Sequence, residues 1–353
     1  MKKLIAFSIL MWSFQYVIAQ DAPWTPAQAQ KWYKHQPWLR GANFIPSTAI
    51  NQLEMWQKET FDTATIDREL GWAAGIGLNC MRVFLHHAAW QADPVGFKER
   101  VRTYLVIAGR HGIKTIFVFF DDCWRDSFRV GPQPLPQPGV HNSGWLQDPG
   151  RIYYDEPLLA DTLQRYVTDI LTAFGHDSRI ILWDLYNECG NNGHFTPGLD
   201  LLQKVFAWAR AAKPEQPLTS CYWANFWQLG PINAFALSHS DVITYHCYET
   251  PEVHQSRIDM LRTYGRPMLC TEYMARKHNS TFFTIMPLLK NQGIAAINWG
   301  LVDGKTQTKY AWDEPLKDGS EPKLWFHEIF RKDGQPYDTG ETTFIRSLCT
   351  GEN

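Results

Sequence analysis

The sequence predicts an α/β chain folded as a single-domain (β/α)8 barrel, the TIM-barrel architecture. Eight short apolar runs recur along it, at residues 39–44, 80–85, 115–120, 180–186, 218–221, 242–248, 268–272 and 295–300. Stretches with helical periodicity separate them, and strand–helix units repeated in this way close into a parallel barrel. The length of 353 residues fits a barrel of about 250 residues with insertions. An open doubly wound sheet would use the same alternation, but no G-x-G-x-x-G follows the first run, which weakens that arrangement.

At the N-terminus, Lys2 and Lys3 precede a mostly apolar stretch, and Val17 and Ala19 fit the −3 and −1 positions of a cleavage site. Residues 1–19 are therefore expected to be a signal peptide and residues 20–353 the mature domain, exported to the periplasm or the exterior. The apolar stretch is short for a span, and no later run reaches the roughly 18 residues of a transmembrane helix. No membrane span is expected once the signal is removed.

Thr196-Pro197 is expected to open one helix as N-cap and first residue, with Leu199, Leu202, Phe206 and Ala209 on one face. Thr250-Pro251 opens another, which Gly265 closes after Tyr264. Between Cys123 and Gly150 the chain carries Gly131, Pro132, Pro134, Pro136, Pro138 and Gly139. That spacing excludes a helix and favours a stiff, extended path. Because it follows the third strand, this segment should rise over the C-terminal mouth of the barrel with Trp124, His141 and Trp145. After the eighth strand, a helical stretch around Lys323–Phe330 and a polar tail are expected.

Apolar residues make up 44% of the chain and charged residues 20%, the balance of a globular protein. The formal net charge is −2 with no long basic run, which argues against a nucleic-acid partner. Aromatic residues are abundant, with 16 Trp, 14 Tyr and 20 Phe. A flat indole suits a core and the apolar face of a sugar ring alike, so composition leaves both uses open. Seven Cys occur without any C-x-x-C. Neither a disulfide framework nor a Cys-type zinc site is expected from them, and they read as small buried hydrophobes. No cofactor or metal is expected.

In such a barrel the reactive groups sit at the C-terminal ends of the strands. The fourth run ends Trp183-Asp184-Leu185-Tyr186-Asn187-Glu188, and the seventh ends Leu269-Cys270-Thr271-Glu272. The second carries Arg82, the sixth ends Tyr245-His246-Cys247-Tyr248, and the eighth ends Ile297-Asn298-Trp299-Gly300. Alternation along a strand puts Met268, Cys270 and Glu272 on one face, Cys80 with Arg82, and Thr244 with His246 and Tyr248. Asn187 and Glu188 are adjacent, so both reach the mouth only if the strand twists or bulges there. Two carboxylates at one mouth suit acetal cleavage. One carboxylic acid protonates the leaving oxygen while an ionised partner meets the oxocarbenium-like centre. Arg82 near Glu272 would keep that carboxylate ionised, Asn187 would hydrogen-bond a sugar hydroxyl, and Trp299 offers a stacking face.

The segment Trp183-Asp184-Leu185-Tyr186-Asn187-Glu188 resembles the W-D-x-x-N-E segment of retaining glycoside hydrolases of the large (β/α)8 clan. Roughly residues 38–330 resemble its cellulase-like members, glycoside hydrolase family 5 and near relatives. The resemblance implies Glu188 as general acid/base and Glu272 as nucleophile, with Arg82, Asn187, His246, Tyr248 and Trp299 in supporting positions. One departure stands at the end of the third strand. Family 5 often carries a His there, whereas this chain has Phe119-Phe120-Asp121-Asp122-Cys123-Trp124. Asp122 and Trp145 complete the candidate substrate-binding set. The implied protein is a secreted β-glycoside hydrolase with a carbohydrate substrate, a β-glycan or oligosaccharide of plant or microbial origin, cleaved by double displacement.

Two rival functions remain open at this point. A metal-dependent barrel hydrolase would need His86, His87, Asp121, Asp122 and His246 to converge on one ion, although no H-E-x-x-H occurs. A catalytically silent carbohydrate-binding barrel would be marked by a lost carboxylate, and both are present. Each candidate also has a structural alternative: ion pairing for the two Glu and Arg82, packing for His246, Trp299 and Trp145, and solvation for the loop acids.

Overall fold

The computed structural model describes residues 22–156 and 158–351; the expected signal peptide lies outside them. Eight parallel strands occupy all eight expected runs: β1 (Arg40–Asn43), β2 (Cys80–Phe84), β3 (Lys114–Asp121), β4 (Ile180–Asn187), β5 (Leu218–Thr219), β6 (Ile243–His246), β7 (Met268–Glu272) and β8 (Ala295–Trp299). They pair in the order β5-β4-β3-β2-β1-β8-β7-β6. The seam between β5 and β6 is closed just beyond β5, where Tyr222 bridges Tyr245. The Tyr222 amide donates to Thr244 O at 2.9 Å and the His246 amide to Tyr222 O at 3.0 Å. The Thr219 and Thr244 hydroxyls bond across the same seam at 2.9 Å.

Apolar packing forms an inner and an outer layer. Leu39, Cys80, Ile116, Leu182, Leu269 and Ile297 fill the barrel, and Trp24, Trp32 and Tyr33 pack on them from the N-terminal helix region. That helix, Pro26–Lys34, starts with a capping box between Thr25 and Gln28. Outside the strands, the helix Leu159–Phe174 buries Leu163, Tyr166, Val167, Ile170, Leu171 and Phe174, the three- and four-residue spacing of a single stripe. Where β1 meets β2, a Cβ on Gly41 would sit 1.6 Å from Cys80 O, so only glycine permits the pairing.

The helix Pro251–Arg262 opens at Thr250 as expected, and Gly265 follows with φ +68°. Its counterpart starts earlier than the Thr196-Pro197 signal suggested. It runs Phe195–Ala212 with His194 at the N-cap, so Pro197 lies in the first turn, where no N–H is needed. Lys323–Phe330 is not a helix. Residues 325–330 are all buried, leaving no solvent face for an amphipathic stripe, and Phe330 bridges both Val302 and Pro336. The helix of this region is Thr339–Thr350 instead. The 123–150 segment crosses the mouth without helix, held by paired backbone bonds of 2.8 Å between Asp121 and Asp148. All seven cysteines are free.

Two buried acids lie beside the mouth. Glu69 accepts from the amide and hydroxyl of Ser47, and Glu328 accepts from the Thr308 hydroxyl. Burial pushes Glu69 up to about 7 and Glu328 up to about 8. An acid raised in this way binds more protons folded than unfolded, so stability falls as pH climbs from the unfolded value toward the raised one. The melting temperature is expected to fall between about pH 5 and pH 8. Glu328→Gln should flatten that slope in melts at stepped pH; an unchanged slope would show that Glu328 does not titrate there.

Candidate active site

The site is built outward from Arg82, which β2 places fully buried inside the barrel. Its Nη1 donates to Glu272 Oε1 and to Asn43 Oδ1, each at 2.9 Å. Nη2 donates to Asn187 Oδ1 at 2.6 Å. Nη2 and Nε share Asp184 Oδ2 at 2.7 and 3.0 Å. Burial alone would lower the guanidinium pKa, and the charges of Asp184 and Glu272 more than reverse that. One cation thus ties β1, β2, β4 and β7 together.

Local backbone irregularities aim the two candidate carboxylates. Asn187 stays in the ladder opposite Asp121, while Glu188 takes φ +43°. That left-handed residue turns the chain so that two adjacent side chains both reach the cleft. The conformation costs about 1–2 kcal/mol for a non-glycine residue, and such strain clusters at functional sites. On β7 simple alternation fails. Tyr245 pairs with Cys270 and His246 pairs with Glu272, so Thr271 is an extra residue. Cys270 accordingly packs in the outer layer, on a different face from Glu272, while Leu269 faces the barrel interior. The bulge is what turns Glu272 toward the mouth.

Glu188, His246 and Glu272 each present an atom within 4.8 Å of the others. His246 Nδ1 lies 2.7 Å from Glu188 Oε1 and 3.4 Å from Glu272 Oε2. Tyr248 donates its hydroxyl to Glu272 Oε2 at 2.7 Å. Asn191 Nδ2 donates to Glu188 Oε2 at 2.6 Å, and the Cys123 thiol does so at 3.3 Å.

Burial raises both carboxyls. Glu272 is pushed up to about 7 by burial and by Glu188, against the pull of His246, Arg82 and Tyr248. Glu188 is raised by burial, opposed by its bonds from Cys123 and Asn191. Two carboxyls this close titrate as a pair and keep one proton between them into the neutral range. Donor geometry decides where it rests. Arg82 and Tyr248 both donate to Glu272, which favours its ionised form. Burial holds His246 down to about 3, so its ring is neutral and Nδ1 can accept the Glu188 proton.

The pair opens into a cleft of about 660 Å³. Asn187, Glu188, His246, Tyr248, Glu272 and Trp299 all line it. Arg82 lies buried beneath it, and two further candidates do not line it either. Trp145 is buried edge-on against Phe84 and Trp299, with Nε1 donating to Asp121 Oδ2 at 2.7 Å; it supports Trp299 from behind. Asp122 is also buried, and it accepts from the Tyr186 hydroxyl at 2.8 Å, the Gly190 amide at 2.7 Å and Asn192 Nδ2 at 2.9 Å. It fixes the loop after β4. The five residues of the metal reading do not converge. His86 and His87 gather with Asp148 instead, and His86 is already committed to the Ala88 amide and Gln147 O.

Sequence reasoning missed Asn43, whose Nδ2 bonds Thr271 O at 2.8 Å and Asn298 O at 3.1 Å, and the roles of Asp121 and Asp184. All three sit at or near strand ends, so the same inspection could have found them. It also missed Asn142, Trp312 and His327 in the cleft wall. These lie on long loops, where no periodicity signals direction. Tryptophan proves to serve both expected uses: Trp56, Trp183 and Trp325 are fully buried, while Trp124, Trp223, Trp299 and Trp312 line the cleft.

Glu272→Gln should lower the pKa of Glu188, because it removes the neighbouring negative charge against which Glu188 must ionise. Carbon-13 NMR titration of the glutamate carboxyls checks this; an unmoved Glu188 would mean the two do not interact electrostatically.

No family model matches the chain, and no curated protein sequence matches it. Solved structures do match. A GH5_18 protein from Streptomyces cattleya in complex with Manb1-4GlcNAc superposes with a TM-score of 0.62 at 14% identity, over 89% of this chain and 82% of that one. An exo-β-1,4-mannosidase from Opitutaceae bacterium strain TAV5 gives 0.61 at 17% identity, over 89% and 59% of the two chains. The endo-1,4-β-D-mannanase of Thermotoga petrophila RKU-1 gives 0.55 at 15% identity, over 88% and 99%. At these identities the likeness establishes a shared (β/α)8 fold.

Proposed function

We propose that the protein is a retaining β-glycoside hydrolase. The observation that carries this reading is the pair Glu188 and Glu272, with oxygens within 4.8 Å and unequal donors: Glu272 accepts from the Arg82 cation and Tyr248, Glu188 only from the neutral Asn191 and Cys123. Retaining enzymes hold their carboxyl groups about 5–5.5 Å apart and inverting enzymes roughly 6.5–9.5 Å apart. Glu272, charged by its donors Arg82 and Tyr248, attacks the anomeric carbon. The glycosidic C–O bond breaks, and the leaving oxygen takes the proton of Glu188. Glu188, now ionised, removes a proton from water; the water oxygen bonds the anomeric carbon and the ester to Glu272 breaks. Asn191, which donates to Glu188 Oε2 in either protonation state, holds Glu188 in place through both steps.

The mannosidase and mannanase names among the structural neighbours make β-mannosides the first substrates to test. The N-terminal segment supports export, which N-terminal sequencing of the mature protein would test. An NMR time course on an aryl β-glycoside should show first product of retained configuration; inverted product would end the retaining mechanism. Glu272→Gln should lose activity on all substrates, whereas Glu188→Gln should still glycosylate with good leaving groups. Identical behaviour on activated and unactivated substrates would overturn the roles.

Arg82→Met keeps length while removing charge and donors. It should lose most of its kcat and move the acidic limb of the pH profile upward, since Glu272 without its cation protonates at higher pH. A folded variant with an unmoved limb would reduce Arg82 to a structural role.

A further inference from the structure

The cleft has one built-up side. The loop after β3 and the loop after β8 are joined by a run of hydrogen bonds. The Asn142 amide donates to Thr306 O at 2.8 Å and the Leu316 amide to Gly139 O at 3.0 Å. Gln307 Nε2 donates to Gln137 O at 2.7 Å, and its Oε1 accepts from the Gly139 amide at 3.2 Å. His141 Nδ1 meets Tyr310 O at 2.8 Å. A Cβ on Gly139 would stand 1.6 Å from Leu316 O, so the loops touch backbone to backbone. β3 and β8 are separated in the ring by β1 and β2, and the joined loops therefore wall off that side of the mouth. The other lining residues include Asn191 after β4, Trp223 after β5, and Glu249 and Arg257 after β6.

The wall begins close to the chemistry. The His327 ring lies 5.5 Å from that of Tyr248, the residue that holds Glu272, and 5.4 Å from that of His141. His327 and Asn142 both line the cleft, and both carry buried polar atoms without a partner among the described residues: His327 Nε2, and Nδ2 and Oδ1 of Asn142. His327 Nδ1 faces Met274 O, so it carries the hydrogen and Nε2 is left as an acceptor. Asn142 is fixed with φ +47° and offers one donor and one acceptor side by side, the pattern that matches two adjacent hydroxyls. Buried polar atoms are ordinarily paired, and both side chains belong to the cleft wall.

We infer that the wall ends the glycone side of the cleft, so that the site accepts one non-reducing terminal sugar, recognised by Asn142 and His327, and releases monosaccharides one at a time. This rests on the glycosidase reading. The leaving group departs on the side of Glu188, toward the loops after β4, β5 and β6, where Trp223 offers it a stacking face.

The test uses a ladder of reducing-end-labelled, β-linked oligosaccharides with the purified wild-type protein. Unlabelled monosaccharide should be the only early small product, with the labelled chains shortening by one unit at a time. In parallel, Asn142→Gly tolerates the left-handed backbone, and His327→Asn keeps a donor near Met274 O while removing Nε2. Each should melt close to wild type and lose about 10- to 100-fold in kcat/KM on the aryl glycoside that wild type cleaves. Early release of longer oligosaccharides, or unchanged kcat/KM in both variants, overturns this inference and leaves the glycosidase reading standing. Absence of all hydrolysis by wild type removes both.

Discussion

A single buried guanidinium organises this barrel mouth. Arg82 meets two carboxylates and two amide oxygens drawn from three other strands, β1, β4 and β7. A charge so deeply buried is tolerable only when paired and fully hydrogen-bonded. Asp184 satisfies that need permanently, with no exposure of its own. Because Asp184 neutralises much of the cation, Glu272 is held by direct donation and not locked in an inert ion pair. The site therefore carries a carboxylate oriented by two donors, Arg82 and Tyr248.

The charge balance extends outward from that centre. Asn187 accepts from Arg82 on one side and donates to Asp121 at 2.8 Å on the other. Asp121 in turn anchors Trp145, which supports Trp299 at the edge of the cleft. A polar chain thus runs from the barrel axis to an aromatic surface, with each member's orientation set by its neighbour. Burial raises Asp121 to about 6 and Asp122 to about 7, so the same desolvation that tunes the two glutamates also acts on their supports. At groups so deeply buried, a hydrogen bond is stronger than it is in water.

The mouth departs from ideal strand geometry where its candidate chemistry lies. The left-handed turn at Glu188 and the extra residue Thr271 on β7 each break a regular ladder. Both are sustained because the surrounding packing leaves no alternative: β4 is buried along its length and so is β7. The long loops after β3 and β8 are similarly fixed, by backbone bonds to one another and by an aromatic cluster of Trp124, His141, Trp312 and His327. These contacts join the two loops into one wall of the cleft.

The sequence alone determined the eight strands, their order along the chain and the residues at their ends, because a barrel strand is a short apolar run and its polar successor must lie at a mouth. Glu188, Glu272, Arg82, His246, Tyr248 and Trp299 were legible for that reason. Only tertiary structure decided which neighbours they meet. Alternation placed Cys270 beside Glu272, and a bulge visible only in the pairing separates them. Asp122 and Trp145 were expected at the substrate, yet they are buried as supports, since a loop's polar and aromatic residues carry no period to tell inward from cleftward. The Lys323–Phe330 segment looked helical by local pattern, but residues 325–330 are all buried and the segment runs as a series of bends. Asn142 and His327 were silent because they lie on loops: their place in the cleft wall comes from two loops meeting over one side of the mouth, with His141 and His327, more than 180 positions apart in the chain, in ring contact, and no local spacing encodes that.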